Sequence, residues 1–389
     1  MLVKKLFFII SFILALIALG SPCSFAQDEW GTTLIPKGEN IKIGFAAALS
    51  GDYANLGIDE KNAAEMAVSE KKAIAGHGIN LMAEDDQCEG APSVAIAEKF
   101  SANPLVVGVI GNMCSGGTIP ASDIYSKHRI TMISPSSTAI AVTNRGLKNL
   151  FRTCWNDAIQ GKVAAQFAVN KLKVKNVAII HDKSTYGQGL ADEFKKVFEA
   201  GKGSVIAYEG LTRGDKDFTP VLTKIAPKKP ELIYFGGMAA EAALIVRQMA
   251  DVGLKSKFMS DDGAHSEKDF IQAAGKSSEG CYVTFAKGGQ GSKYEDWKKR
   301  FEAKYGAIIT FAPQTYDATM VLLTAIEKAA KAQPDGSLRI GKKALADAVR
   351  GIQYDGVTGK ITFDENGDIA GAVVVVDEVK NGKFAPVAD

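Results

Sequence analysis

The stretch "LVVGVIGNMCSGGTIPASDIYSKHRITMISPSST", residues 105–138, decides how the rest of the chain is read. Its opening run, Leu105 to Gly111, is apolar without alternation, as expected of a strand covered on both faces. Helical spacing follows over 118–127, and then a second apolar run, "ITMISP". Strand, helix and strand in this order make a parallel pair joined by a crossover. Between the runs lie a cysteine, glycines, prolines and a series of hydroxyl side chains. Small, polar, tightly turned residues suit a loop that closely approaches something. The candidates are a nucleophile, a phosphate cradle or a pocket for a small polar molecule.

The same alternation extends outward in both directions. "IKIGFAAALSG" (41–51) is an apolar strand ending in a glycine turn, and residues 57–75 carry Ile58, Ala63, Met66, Ala67 and Ile74 at helical spacing. Strand "INLMAEDD" and a helix over 91–102 complete a first series. A second series starts near 150 with "NLFRTC" and runs through "KNVAIIHD", "GSVIAYEG", "ELIYFGG" and "KFMSDDG", with helices expected at 159–172, 188–200, 217–226 and 239–252. The two series predict an α/β protein of two doubly wound parallel-sheet lobes. After "EGCYVTF" the rhythm changes to helical segments near 292–304, 314–332 and 341–350. "YDGVTGKITFDENGDIAGAVVVVDEV" then reads as a β-hairpin turned at Asn366-Gly367. A tail that belongs to neither series is expected to complete both lobes, which requires repeated crossings and a multi-strand hinge. The expected division is 40–152 plus 285–356 for lobe I, and 153–284 plus 357–389 for lobe II.

The N-terminus reads as a targeting segment. Lys4 and Lys5 precede an apolar run from Leu6 to Leu19, too short for a membrane span of ~20 residues, and Ser24-Phe25-Ala26 has the small-x-small pattern of a cleavage site. Cleavage after Ala26 implies export to the periplasm and leaves 363 of the 389 residues, enough for two ordinary cores. A lipid anchor at Cys23 is the minor alternative, disfavoured by Pro22. Loss of Lys4 and Lys5 brings the 46 basic residues level with the 44 acidic ones, which argues against a nucleic-acid partner. Cys88, Cys114, Cys154 and Cys281 remain, and an even number in an exported chain favours disulfides over metal or redox chemistry.

Open parallel sheets bind ligands at the carboxyl ends of their strands. The unusual residues fall there: Ser50-Gly51, Cys114 to Gly117 and Ser134 to Thr138 in the first lobe, then Asp182 to Tyr186, Gly236 to Met238 and Asp261-Asp262 in the second. Serine or threonine at a helix N-terminus, beside free N–H groups, offers a carboxylate site. The plain alternative for each is a helix cap worth ~1 kcal/mol. Catalysis finds little support. The histidines are His77 and His128, expected in solvated turns, His181 at a strand end, and His265. G-x-S-x-G, H-E-x-x-H and the P-loop pattern are absent. Asp262, ending an apolar strand, is the acid placed to hold a cation. Carboxylate capture on one lobe and ammonium capture on the other would specify an α-amino acid.

At these residues the chain resembles the leucine/isoleucine/valine-binding proteins of amino-acid ABC importers, the type I periplasmic binding protein fold. "ALSGDYANLG", "EDDQCEGAPSVAIAEKF", "CSGGTIPASDIYSKHRITMISPSST", "FRTCWNDAIQG", "VAIIHDKSTYGQGLADEFK", "YFGGMAAEAALIVRQM" and "GLKSKFMSDDG" carry the likeness. The resemblance implies an α-carboxylate site at Ser115, Ser136 and Thr138, an aromatic contact at Tyr186, an ammonium acceptor at Asp262 and a further pocket aromatic at Phe311. It also implies a disulfide between Cys88 and Cys114, no cofactor or metal, a monomer, and membrane permease subunits with their ATPases as partners. Cys154 and Cys281, assigned to adjoining crossing strands, are expected as a second bridge, with two buried free thiols as the alternative. Three departures bear on the ligand: Asp262 replaces the usual glutamate, and Leu56 and Met238 stand where these binders present tyrosines. Two readings of one fold follow. The first is a solute-binding protein for an amino acid, aliphatic or branched-chain first. The second is a ligand-sensing module for a small amide or aromatic acid.

Overall fold

The computed structural model describes residues 28–287, 289 and 291–387, so the expected targeting segment and Cys23 lie outside the described residues. From the N-terminus, strands β1 (Thr32–Ile35), β2 (Ile41–Ala47), β3 (Ala73–Ile74), β4 (His77–Asp85), β5 (Val106–Gly111), β6 (Thr131–Ser134) and β7 (Leu150–Arg152) come first. Next are β8 (Asn176–His181), β9 (Ser204–Gly210), β10 (Leu232–Gly236), β11 (Lys257–Ser260) and β12 (Tyr282–Ala286). The tail adds β13 (Ala330–Ala332), β14 (Leu338–Gly341), β15 (Tyr354–Asp355), β16 (Lys360–Ile361), β17 (Val374–Lys380) and β18 (Lys383–Pro386).

Two sheets dominate. The first has the order β3-β4-β2-β5-β6-β7 and is parallel apart from β3. The second has the order β18-β17-β12-β11-β10-β8-β9, parallel from β12 to β9 with an antiparallel edge of β17 and β18. Every residue of β5 and of β10 is buried, which is why their sequences show no polar alternation. Helices Gly90–Ala102 and Ser115–His128 cover one face of the first sheet, around Phe100 and Tyr125. Helices Ala54–Lys71 and Ala312–Ala329 cover the other, around Phe45 and Leu322. Most of the apolar residues of Ala312–Ala329 are buried, so a tail segment supplies core that the first series alone lacks.

The chain passes between lobes after Arg152, after Ala286 and before Val374. β12 runs to Ala286 within the second sheet, and Ile361, Phe363 and Ile369 pack in the first core, so both later boundaries differ from the expected 284/285 and 356/357. The single hairpin expected over 354–379 is also corrected. Asn366-Gly367 does turn, closing a lone bridge between Phe363 and Ile369. The apolar run after it instead crosses to the second lobe, where β17 finds an unpaired neighbour in β12. Its own hairpin turns at Asn381-Gly382, both at positive φ (53° and 72°), as a two-residue I′ turn requires.

Cys88 and Cys114 are bonded, with Cα atoms 5.2 Å apart, tying the loops that follow β4 and β5. A closed loop with a sequence separation of 26 is worth ~3.5 kcal/mol in the chain-entropy model. Replacing both cysteines by serine should therefore lower the unfolding free energy by about that amount in urea titrations; an unchanged midpoint would refute it. Cys154 and Cys281 are free and buried, which corrects the expected second bridge. Cys154 sits at the crossing with Trp155, Phe311 and Val374. Cys281 precedes β12, whose other end leads to the crossing; its thiol faces the carbonyl of Ser277 in the second core. The length of one strand, ~16 Å at 3.3 Å per residue, separates the second thiol from the hinge. His77 is likewise corrected: it is buried at the start of β4, with Nδ1 2.9 Å from the carbonyl oxygen of Glu39.

Candidate functional site

A cavity of about 680 Å³, counting the part open to solvent, lies between the carboxyl ends of the two sheets. From the first lobe Leu56, Ser115, Ser136 and Phe311 line it, and from the second Tyr186, Met238 and Asp262. These are seven of the eight side chains named from sequence. Thr138 is buried outside that lining, and its carbonyl accepts the Asp157 N–H at 2.9 Å.

The first-lobe wall explains the concentration of hydroxyls. Thr118, Ser134 and Ser137 all donate to the carbonyl of Asn112, at 3.1, 2.9 and 3.0 Å. They are buried struts that hold two loops together beneath the cavity. Ser115 begins the helix Ser115–His128, whose first N–H groups lack helical partners. Its hydroxyl accepts from the Ala139 N–H at 3.1 Å, while Ser136 donates to the Met113 carbonyl at 3.2 Å. Below them, burial pushes the Glu60 carboxyl well above its usual range, which weakens its opposition to an anion on this wall.

The opposite wall is acidic. The Tyr186 hydroxyl lies 2.7 Å from Asp261 Oδ1 and 2.8 Å from Asp262 Oδ1, and accepts the Gly263 N–H at 2.8 Å. One phenolic proton serves only one carboxylate, so the other contact requires a proton on the second carboxyl. Burial, reinforced by the neighbouring Asp262, pushes Asp261 well above the usual range, which favours Asp261 as the protonated member of the pair. Burial raises Asp262 only to about 6, because the Tyr186 hydroxyl and Gln160 favour its charge. The pair thus presents one negative charge at neutral pH. Gly263 permits this close approach, since a Cβ there would lie 2.4 Å from the Gly237 carbonyl oxygen and 3.0 Å from the Tyr186 hydroxyl. Asp157, pushed up to about 8 first by burial and then by Asp262, is neutral beside them.

Aromatic rings form the floor at the hinge. Trp155 stacks on Phe311 with centroids 5.5 Å apart and meets Phe285 edge-on at 5.2 Å. Trp155 Nε1 donates to Gln160 at 2.7 Å. Asp182 and Ser184 have a local role: Asp182 accepts from the Ser184 hydroxyl at 2.6 Å, and Ser184 caps the helix Thr185–Ala200 through the Gly187 N–H.

Sequence reasoning missed Arg213. It lies in the loop after β9, lines the cavity and spans the cleft. Its Nε donates to the Tyr53 hydroxyl at 3.0 Å, its guanidinium lies 4.7 Å from the Tyr53 ring centre, and Glu89 and Asp182 flank it at 3.9 and 3.8 Å. A second contact across the lobes joins Asn55 Nδ2 to Asp269 Oδ2 at 2.5 Å. Arg213 lies in a loop outside any periodic or capping pattern, so it carried no signal.

Two lobes that enclose a cavity at their facing strand ends, with a helix N-terminus on one wall and acidic side chains on the other, define a two-lobed ligand-binding protein. The profile of the family described as "Periplasmic binding protein" matches residues 40–383, and the chain belongs to that family. It is 36% identical to the leucine-, isoleucine-, valine-, threonine- and alanine-binding protein of Pseudomonas aeruginosa, over 85% of this chain and 87% of that one. It is 34% identical to the Leu/Ile/Val-binding protein of Escherichia coli K12, over 86% of this chain and 89% of that one. Among solved structures, a leucine-binding protein from Thermotoga maritima superposes with a TM-score of 0.82 at 28% identity, covering 90% of this chain and 98% of that one. A branched-chain amino-acid substrate-binding protein of Streptococcus pneumoniae, solved with isoleucine, gives 0.79 at 28% identity, covering 90% and 99%.

Proposed function

We propose that this protein is the solute-binding component of an ABC importer. It takes an α-amino acid, aliphatic or branched-chain first, in the interlobe cavity and delivers it to membrane permease subunits. The observation that carries this is the charge arrangement of one cavity: a helix N-terminus with Ser115 and Ser136 on one wall, and on the other the Asp262 carboxyl, while the second lining acid, Asp182, faces Arg213. An α-carboxylate and an α-ammonium are the complements of those two walls. Phe311, Leu56 and Met238 leave an apolar space for the side chain. The relatives are solute-binding proteins, which supports binding and release rather than catalysis. In this reading the protein works in the periplasm.

A thermal-shift screen of the twenty amino acids with several aromatic acids tests the assignment. A ligand at 100 times its dissociation constant stabilises the folded state by ~2.7 kcal/mol. Shifts are expected for leucine, isoleucine or valine; shifts only with aromatic acids would favour the sensing alternative.

The pH dependence follows from Asp262. With its carboxyl titrating at about 6, the group is charged above that pH and needs no proton release to meet an ammonium. Below it the free protein carries a proton that binding must expel. The dissociation constant should be flat above pH 7 and rise roughly tenfold per unit below pH 6. Calorimetry from pH 4.5 to 8 checks this, and a flat profile would remove Asp262 from the ammonium site.

A further inference from the structure

A second space, about 880 Å³ including a part open to solvent, adjoins the first, and the two share Leu56, Met238 and Gly263 in their walls. Gly263 contributes no side chain, so the partition consists of one half-buried leucine from the first lobe and one half-buried methionine from the second. Both are unbranched at Cβ, and methionine in particular repacks at little cost. Beyond the partition, the helix Ala239–Asp251 presents Ala239, Ala240, Ala243 and Leu244, an apolar surface made largely of the smallest apolar side chains. Ser266, the Asn55–Asp269 contact and the charged side chains of Asp52, Arg247 and Lys268 bound the same space. A chain that displaces the ends of Leu56 and Met238 would therefore meet the apolar helix face and room, with charged groups in the remaining wall.

We infer that the ligand cavity is extensible, and that the protein accepts unbranched α-amino acids whose side chains are longer than leucine's. Their tails pass between Leu56 and Met238 into the second cavity. This rests on the amino-acid reading above, because Ser115 and Asp262 fix which end of the ligand points at the partition. Branched side chains stop at the partition, while a linear chain threads it. Each methylene entering an apolar space is worth about fourfold in affinity when it displaces nothing, so the length dependence reports whether the space is used.

The test is a calorimetric series on the full mature chain with leucine, norvaline, norleucine, 2-aminoheptanoate and 2-aminooctanoate. Affinity is expected to hold or tighten from norvaline to 2-aminooctanoate. Ala240→Phe fills the second cavity from an exposed helix position; it should leave leucine binding unchanged and weaken 2-aminooctanoate tenfold or more. Met238→Tyr should raise the ratio of the 2-aminooctanoate to leucine dissociation constants by a similar factor. Leucine binding combined with a loss of more than tenfold at each methylene beyond norleucine overturns the extension and leaves the amino-acid reading standing. Tight 2-aminooctanoate binding that Ala240→Phe does not change also overturns it, since the tail would then lie elsewhere. Failure of every α-amino acid, leucine included, would overturn the functional reading itself.

Discussion

Asp262→Ala is expected to weaken amino-acid binding by two to three orders of magnitude without altering the fold. Removing one partner of a buried, hydrogen-bonded charge pair costs ~3–5 kcal/mol, because the remaining charge is left in a desolvated site. Asp262 is 3% exposed and its carboxyl is raised only to about 6, whereas burial pushes Asp261 well above its usual range. The fold should survive, because Tyr186 retains Asp261 and the Gly263 N–H as partners. Calorimetry with leucine and a circular-dichroism melt check both halves. An unchanged dissociation constant would shift the role to Asp261, which Asp261→Asn then tests.

The second large effect concerns stability. Arg152, fully buried where the chain leaves the first lobe, makes a two-pronged contact with Asp368 at 2.7 and 3.1 Å. The same guanidinium donates to the carbonyls of Ser137 and Ala139 at 3.0 and 2.9 Å, and to the Thr143 hydroxyl at 2.9 Å. It joins the loop carrying Ser136 to the third crossing of the hinge. Arg152→Ala should cost ~3–5 kcal/mol of unfolding free energy, as for any buried pair broken from one side. Urea denaturation measures it, and Arg152→Ala with Asp368→Ala should lose less than the sum of the single changes. A loss below 1 kcal/mol would show the contact to be dispensable. Burial opposes the Asp368 charge, yet Arg152, Thr143 and Asn156 hold its carboxyl below the usual range. A depressed carboxyl contributes stability above its unfolded value, about pH 4, and loses it as pH falls further.

Most of the architecture was legible because strand burial leaves a local mark. β5 and β10 are buried throughout, and their apolar runs announced it. The residues that line the cavity were legible for a related reason: parallel sheets gather ligands at strand carboxyl ends, and Ser115, Tyr186, Met238 and Asp262 follow such ends directly. Their chemistry was less so. Thr118, Ser134 and Ser137 share composition and neighbourhood with Ser115 and Ser136, yet they brace a carbonyl instead of lining the cavity. Composition does not report which way a hydroxyl faces.

By itself, the sequence determined the α/β class, the two alternating series, the crossing tail and the segments that meet at the cleft. Each depends on periodicity or turn chemistry within some twenty residues. Tertiary structure alone decided which distant groups meet. Arg213 reaches Tyr53 across 160 positions and Arg152 reaches Asp368 across 216, while Cys154 lies at the crossing after β7 and Cys281 in the second core before β12. It also decided that Asp261, Asp262 and the Tyr186 hydroxyl meet in one cluster. The physical reason is that local pattern records whether a segment is buried. The partner of a buried charge is set by the packing of both lobes, which no single window of the chain contains.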